Sequence, residues 1–396
     1  MDKVPVILFG DNIAAYGVIR ALGPKNIPMY LVSPAGKEIS VHSRYVKKIL
    51  VANPIDESFI FQLMPWIRNN VGTEAVCMIA GEDYYLDKLS QNYEIFDRNL
   101  KPTFPSWDIV KKVRCKRLTY EIAEAAGVPI PRTFFITSKS ELNNIINNTK
   151  LHFPLLMKAE DSKKFAKQYK TKGIISNNID ELLDNYTRYN GFMEELLLQE
   201  MIPGGEDKLY CLKTVLNKNS DPLAVFVDKK IRSSAQFAAC TLTASTWSEE
   251  VVQYGIRLLK DIGYLGYASV EFKLDDRDGI FKLMEINGRV SMNNSHALAC
   301  GINLPHLMYR DVITGPLPCI ESFKRNYPEQ IVWWHALGEL NLIKNRRLTL
   351  LEYLKPLSGK ELLIEPLSLR DIKPFAYELV SKFASLNRLI QRRLKN

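Results

Sequence analysis

The amino-acid sequence predicts an α/β region followed by an α+β region, more than one domain in all, on three observations. An apolar run, VPVILFG (Val4 to Gly10), leads into a helical pattern and then a second apolar run, the order of a βαβ unit. Beyond residue 150, short apolar runs alternate with helical patterns and end in two alternating runs joined by a turn, YASVEFKLDDRDGIFKLMEING. The chain has 396 residues, more than one hydrophobic core usually holds.

Taken in order, IAAYGVIRALG (Ile13 to Gly23) reads as a helix closed by a glycine cap, and IPMYLVS as the next strand. AVCMIAG (Ala75 to Gly81) is a further parallel strand, followed by the polar GEDYY, so residues 1–105 form an open α/β sheet. No GxGxxG follows Gly10, which weakens any case for dinucleotide binding. A single helix is expected from Ser106 to Ala126, stopped at Gly127, and the prolines of GVPIPRTFFI keep the next segment extended. FPLLMKAE, LLLQEMI, LYCLKTVL and LAVFVDKKIR read as strands, and WSEEVVQYGIRLLKDIGY as an amphipathic helix. DDRDG is the hairpin turn between the last two strands.

Composition narrows the class. Hydrophobic content of 46% and charged content of 24% are ordinary for a globular protein and exclude disordered or collagen-like chains. The six cysteines are scattered without a CxxC, so neither a zinc site nor a disulfide framework is expected. No cleavable leader pattern and no run of about 18 apolar residues occurs, so the expectation is a cytoplasmic protein. The formal charge of +9 suits nucleic acid, an anionic membrane surface or polyanionic small substrates without choosing among them. A nucleic-acid role has nothing further in its favour, because no binding module and no aromatic-basic interleaving is present.

The chemistry concentrates at the final strand pair. Glu285, Asn287 and Arg289 fall at alternate positions, so they share one strand face, with Leu283 further back on that face. In the preceding strand Ser269, Glu271 and Lys273 oppose Val270 and Phe272, which sets Glu271 across the ladder near Glu285 and Asn287. Two carboxylates and an amide oxygen repel without a cation and suit magnesium bridged to nucleotide phosphates; the competing reading is a solvated face with an Arg/Glu pair. Lys158 ends an apolar strand, where an ammonium is costly unless an anion meets it. In LLLQEMIPGGE, residues Gln199 to Ile202 offer backbone groups to an adenine edge and Glu206 a carboxylate to ribose hydroxyls, though each taken singly is more often an ordinary surface group.

The order of these residues, from Lys116 eleven positions before Gly127 through Lys158 and QEMIPGGE to Glu271, Glu285, Asn287 and Arg289, resembles the ATP-grasp superfamily. Within it the chain is similar to the carbamoyl-phosphate-synthetase-like, biotin-carboxylase-related ligases, a group that includes D-aspartate ligase. The segment GYLGYASVEFKLDDRDGIFKLMEINGR carries most of the likeness, helped by AGVPIPRT and weakly by SRYVKK. The resemblance implies a Rossmann-like pre-ATP-grasp domain (1–105), a two-lobed ATP-grasp clasp made of a small lobe with a linking helix (106–205) and a large lobe with the metal site (206–325), and a C-terminal extension with a basic amphipathic helix (326–396). It implies ATP and Mg2+, with Mn2+ as an alternative ion.

By match to the family motifs, Lys116 and Lys158 hold phosphates, Gln199, Glu200, Met201 and Ile202 form the adenine hinge, and Glu206 binds ribose. Glu271, Glu285 and Asn287 ligate the metal, Arg289 stabilises the transferred phosphate or a substrate carboxylate, and Lys230 and Arg232 point into the same cleft. Asn293, Asn294, Ser295 and His296 orient the acceptor, with helix capping the alternative for Asn294 or Ser295. The implied reaction turns a carboxylate into an acyl phosphate with loss of ADP, and an amine then displaces phosphate. It needs no protein nucleophile, in keeping with the lack of any Ser/His/Asp or Cys/His grouping. The substrates are then a small carboxylate and an amine, and a homodimer is a further expectation.

Two departures stand out. EDSKKFAKQYKTKG replaces a glycine-rich loop, leaving Lys163, Lys164 or Lys167 to cover phosphates, and Cys115-Lys116 stands where Asp-Lys is common. The degenerate loop keeps open a non-catalytic nucleotide-binding protein. At the C-terminus Phe375, Leu379, Phe383, Leu386, Ile390 and Leu394 form one helical stripe that either packs on the body or meets an anionic membrane.

Overall fold

Strands β1 (Val6–Phe9), β2 (Met29–Ser33), β3 (Val46–Val51), β4 (Ala75–Ile79) and β5 (Leu100–Pro102) form a parallel sheet in the order β3-β2-β1-β4-β5. The apolar residues of β1 alternate between two cores. Val6 and Leu8 pack with helix α1 (Ile13–Leu22), whereas Ile7 and Phe9 pack with α2 (Phe59–Asn70) and α3 (Asp83–Gln91). The strand order reverses between β1 and β4, so their two following loops diverge and leave a crevice at the sheet's carboxyl edge. Gly10, at φ +114, lets the β1 loop pass within 2.1 Å of where its Cβ would meet the Ala80 carbonyl oxygen. The computed structural model describes residues 3–159, 165, 168–169, 171, 173–189, 196–235, 238–358 and 361–395, without the side chains of 341 and 385–395.

The single helix expected from Ser106 to Ala126 is two, α4 (Trp107–Arg114) and α5 (Lys116–Ala125), broken at Cys115, whose φ and ψ of −89 and 112 are extended. Thr119 bridges the break, its hydroxyl donating to Lys112 O at 2.7 Å and Cys115 O at 3.0 Å. Lys116 therefore opens a new helix instead of lying inside one. The chain continues through β6 (Thr133–Ile136), α6 (Lys139–Asn148), β7 (Leu155–Ala159), β8 (Ile174–Ser176), α7 (Ile179–Tyr189) and β9 (Leu196–Glu200), a four-stranded sheet in the order β6-β9-β7-β8. The core between this sheet and its helices gathers Leu142, Leu155, Met157, Leu182, Leu196 and Leu198.

The large sheet runs β14-β13-β10-β11-β12-β15-β16, from β10 (Leu209–Leu216), β11 (Pro222–Ser233), β12 (Cys240–Thr246), β13 (Gly266–Asp275) and β14 (Ile280–Asn287). Helix α8 (Glu249–Ile262) covers one face. Ser248 caps it on Val251 N, Gly263 at φ +77 ends it, and Val251, Val252, Ile256, Leu258, Leu259 and Ile262 are buried as their spacing predicts. Helices α9 (Asn294–Ala299) and α10 (Leu304–Thr314) follow. β15 (Val332–Trp334) and β16 (Leu362–Ile364), from the region expected as an extension, add two strands to this sheet around α11 (Ala336–Lys344) and α12 (Leu350–Leu354).

The final helix α13 (Lys373–Lys395) is tied to the first sheet. Tyr377 donates to Lys37 O at 2.7 Å and stacks on His42 with ring centroids 3.8 Å apart, and the preceding Asp371 accepts from Arg44 N at 3.1 Å. The expected single stripe on this helix divides: Phe375 and Leu379 are half-buried, Phe383 is exposed, and Leu386, Ile390 and Leu394 lie outside the described side chains. Among the described residues no helix is long and apolar enough to cross a membrane.

Candidate active site

The face of the large sheet opposite α8 lines a cavity of about 470 Å³. Register alone sets one row across four strands, because Glu285 pairs with Glu271, Glu271 with Cys211, and Cys211 with Asp228. All four side chains line the cavity. A bulge lies at this point: Glu271 opposes Glu285 but Phe272 opposes Leu283, leaving Met284 as the extra residue. Leu283, expected on the same face as Glu285, is therefore buried in the α8 core while Glu285 faces the cavity.

Glu271 and Glu285 face each other across the β13–β14 ladder. Burial first, and the facing Glu285 second, push the Glu271 carboxyl up to about 7. Asn287 donates its amide to Glu285 at 3.0 Å and accepts from Arg289 at 3.3 Å, so as placed it bridges the two and must turn its amide over to offer oxygen to a metal. Arg289 lines the cavity, and its Nε donates to Asp83 at the head of α3, 2.7 Å away. Asp83 also stands 3.7 Å from Arg114, which grips Asp87 through two bonds of 2.8 and 3.0 Å.

Lysines come from the other side. Lys116 and Lys158 line the cavity opposite the acidic pair. Burial lowers Lys158 to about 8, with the nearby Lys116 adding to that direction and Glu285 opposing it. Lys230 also lines the cavity; burial alone would lower it, but Glu271, Cys240, Glu206 and Glu285 together raise it. Arg232, expected beside Lys230, is directed elsewhere. A bulge between the two residues turns its guanidinium onto buried Glu339, with bonds of 3.0 and 2.9 Å, and onto the Glu352 carbonyl at 2.8 Å.

The hinge segment does not line this cavity. Gln199 is buried and donates to Tyr120 Oη at 3.0 Å and Thr133 Oγ1 at 2.9 Å, and Glu200 lies 3.4 Å from His152 and 3.7 Å from Arg132. Met201 donates its amide to Pro154 O at 3.0 Å, and the Ile202 carbonyl accepts from Lys273 at 2.8 Å. Glu206 accepts from Ser233 and acts electrostatically on Lys230. Lys163, Lys164 and Lys167 lie outside the described residues.

Of the four residues expected to orient an acceptor, only Asn293 lines the cavity. It donates to Asp228 Oδ2 at 2.8 Å. Asn294 donates to Ala14 O at 2.9 Å, and Ser295 donates to Glu365 at 2.5 Å and accepts from Trp333 Nε1 at 3.0 Å. Both sit within α9, whose cap position is Asn293, so neither caps it. His296 is fully buried, with Nε2 2.9 Å from the Ile331 carbonyl, to which it donates, and Nδ1 3.0 Å from Asp228 and from Thr243. These three side chains hold the cavity's rear wall instead of facing its interior.

Sequence reasoning missed that wall. Lys213 is buried against Asp228 and over the Phe226 ring, 5.4 Å from its centroid. Burial would lower the Lys213 ammonium and raise the Asp228 carboxyl, but each outweighs that effect on the other, so the pair stays ionised. The signal was a charge at an inward position of each of two apolar strands, LYCLKTVL and LAVFVDKKIR. Asn12 and Gly81, from the loops after β1 and β4, and Ile13, the first residue of α1, also line the cavity. GDN and GED after adjacent strands were the cue.

Three sheets thus contribute residues to one cavity, and this architecture has known counterparts. It superposes on biotin carboxylase from Campylobacter jejuni, solved with β,γ-ATP, at a TM-score of 0.63 over 81% of this chain and 73% of that one, with 16% identity. L-amino acid ligase from Bacillus licheniformis matches at a TM-score of 0.60 over 80% of this chain and 75% of that one, with 15% identity. Residues 217–310 match the family described as carbamoyl-phosphate synthase L chain, ATP binding domain. The chain has the ATP-grasp fold. In sequence, this ATP-grasp chain is 21% identical over 254 residues to D-aspartate ligase from Enterococcus faecium (strain Aus0004), across 62% of its own length and 60% of the relative's. The matched 217–310 segment holds Asp228, Lys230, Glu271, Glu285, Asn287, Arg289 and Asn293, all of which line the cavity.

Proposed function

We propose that the chain is an ATP-dependent ligase joining a carboxylate to an amine. One observation carries this reading: two carboxylates face each other in register, Glu271 and Glu285, across one cavity from Lys116 and Lys158. A triphosphate with a divalent ion is the ligand that neutralises both sides at once. Glu271, held protonatable near neutrality first by burial and then by its neighbour Glu285, suits a cation. Among the described residues no three His, Cys, Asp or Glu side chains gather as a metal site, so phosphate oxygens would complete the coordination. Mg2+ is the ion we propose and Mn2+ the substitute; when bound, it supplies charge neutralisation for phosphoryl transfer.

In this reading the first sheet is the pre-ATP-grasp domain, and the four-stranded and large sheets are the two lobes. Lys116 and Lys158 hold phosphates, and Lys230 and Arg289 meet the charge that develops on the transferred group. A carboxylate oxygen of the substrate bonds to the γ-phosphorus as the bond to ADP breaks. The amine then attacks the acyl carbon, phosphate departs, and the amine's proton is released to solvent. D-aspartate ligase and L-amino acid ligase, both named for amino-acid substrates, make an amino acid the first candidate for one partner.

A second reading, nucleotide binding without turnover, draws on one specific observation: the stretch 160–173, where a glycine-rich phosphate loop is expected, has glycine only at Gly173. A screen of carboxylate and amine pairs for phosphate release, with Glu285→Gln as control, separates the two. Release by the parent that falls in the control supports the ligase. Nucleotide binding with no release for any pair supports the binder, and equal release in parent and control removes Glu285 from the site.

A further inference from the structure

Half of the large apolar side chains that stand exposed among the described residues fall between 350 and 383. They form two local groups. On and just after α12, Leu350, Leu351 and Leu357 are 61%, 83% and 54% exposed. Around α13, Ile372, Ala376, Val380 and Phe383 recur at helical spacing on the outward side, with Val380 66% and Phe383 58% exposed, and Leu369 just before them is 93% exposed. The opposite side of α13 is engaged by the body through Tyr377, Pro374 and Glu378, so this outward stripe is not needed to dock the helix. Such a concentration marks a contact surface rather than scattered surface leucines.

Charge says what covers it. Arg346, Arg347, Lys355, Arg370 and Lys373 are exposed around the same apolar residues. The acids of the region are mostly withdrawn into the protein: Glu365 pairs with Arg20 at 2.9 Å, Glu378 bonds His335 at 2.8 Å, and Asp371 accepts from Ser43 and Arg44. Of the two exposed acids, Glu352 and Glu361, Glu352 is folded onto its own capping box with Thr349. A second copy laid on this face would set cations against cations, and nucleic acid would leave the apolar side chains in water. An anionic bilayer satisfies both, with phosphates at the basic rim and apolar side chains at the acyl boundary.

We propose that the exposed residues of 346–358 and 369–383 form a docking surface for an anionic lipid bilayer. The inference stands apart from the ligase reading. Full-length protein is sedimented with vesicles of phosphatidylcholine alone, or mixed with phosphatidylglycerol, at low and high salt. Binding is expected only to the mixed vesicles and only at low salt. It should weaken by about tenfold or more in Val380→Ser/Phe383→Ser and in Arg370→Glu/Lys373→Glu, whose side chains are exposed. Leu350→Ser/Leu351→Ser, in the other group, provides an independent variant should either of these fold poorly. Equal binding to neutral vesicles, no binding to mixed ones, or unchanged binding in the variants overturns the proposal. So does a fall in solution mass from dimer to monomer in Val380→Ser/Phe383→Ser, which would make the face a contact between copies. Phosphate release without vesicles is unaffected by these variants, so failure here and failure of the ligase reading are read separately.

Discussion

Arg289 and Asp83 meet at 2.7 Å, joining the chain just past β14 to the head of α3, the helix that follows β4 in a different sheet. The backbone repeats the link: Gly81 donates to Val290 O at 3.0 Å, and Val290 donates to Ile79 O at 3.1 Å. The guanidinium that faces the cavity is thus held from the first sheet as well as by Asn287, the last residue of β14. Asp83→Asn is expected to loosen Arg289 without removing it. A charge-assisted hydrogen bond contributes about 1.5–3 kcal/mol, so kcat/KM for phosphate release should drop roughly ten- to a hundredfold. Asp83→Glu should restore part of it, and a loss confined to melting temperature would show the pair to be purely structural.

Glu271 links metal and pH. Its folded carboxyl titrates near 7, above the ordinary 4.5, so between those values the folded chain holds more protons than the unfolded one. Stability of the metal-free protein from this group is therefore full below pH 4.5 and is lost as pH rises through 7. Melting temperature without Mg2+ should fall across that window, and Glu271→Gln should flatten the fall. Metal affinity should move oppositely, strengthening up to about pH 7 as the carboxyl ionises, measurable by titrating Mg2+ or Mn2+ with nucleotide at several pH values.

For Lys158 the direction reverses. Its folded ammonium titrates near 8 against an ordinary 10.5, so the folded chain holds fewer protons between those values and gains stability as pH rises through them. A bound triphosphate should pull the proton back. Calorimetry of nucleotide binding near pH 8.5 in buffers of different ionisation heat should record proton uptake, and Lys158→Met should abolish it.

Asp228 and Lys213 are almost completely shielded from water. Asp228→Ala leaves an ammonium buried without its partner and should destabilise the fold by about 3–5 kcal/mol, read as a shift in denaturant midpoint. Lys213→Met combined with Asp228→Asn leaves no orphaned charge and should recover most of the loss. Equal midpoints for the parent and Asp228→Ala would refute the buried ion pair.

Much of the site was legible in the chain. Period-two alternation in two strands joined by DDRDG predicts that Glu271 stands across from Glu285, and the register bears this out. Lys158 at the end of an apolar strand is likewise where an anion is wanted, and it lines the cavity. Other expectations ran on the wrong side of a local irregularity. Arg232 lies beyond a bulge that alternation does not foresee, and Cys115 breaks a helix whose residues otherwise favour continuity. Ser295 and His296 look like exposed polar residues after a strand, yet each meets partners distant in sequence, Glu365 and Asp228.

The sequence by itself determined the elements and the polarity of their faces, because side-chain direction along a strand or helix follows a fixed period and burial follows from it. It thereby determined which residues were available for chemistry. Only the tertiary structure decided which of them meet, because Asp83 and Asp228, the carboxylates that Arg289 and His296 meet, lie on other elements and depend on how the sheets are stacked. The same stacking withdrew Glu365, Asp371 and Glu378 from the surface and left Leu350, Leu351, Leu357, Leu369, Arg346, Arg347 and Arg370 facing outward. That is a matter of which side of an element finds a neighbour, which no local pattern encodes.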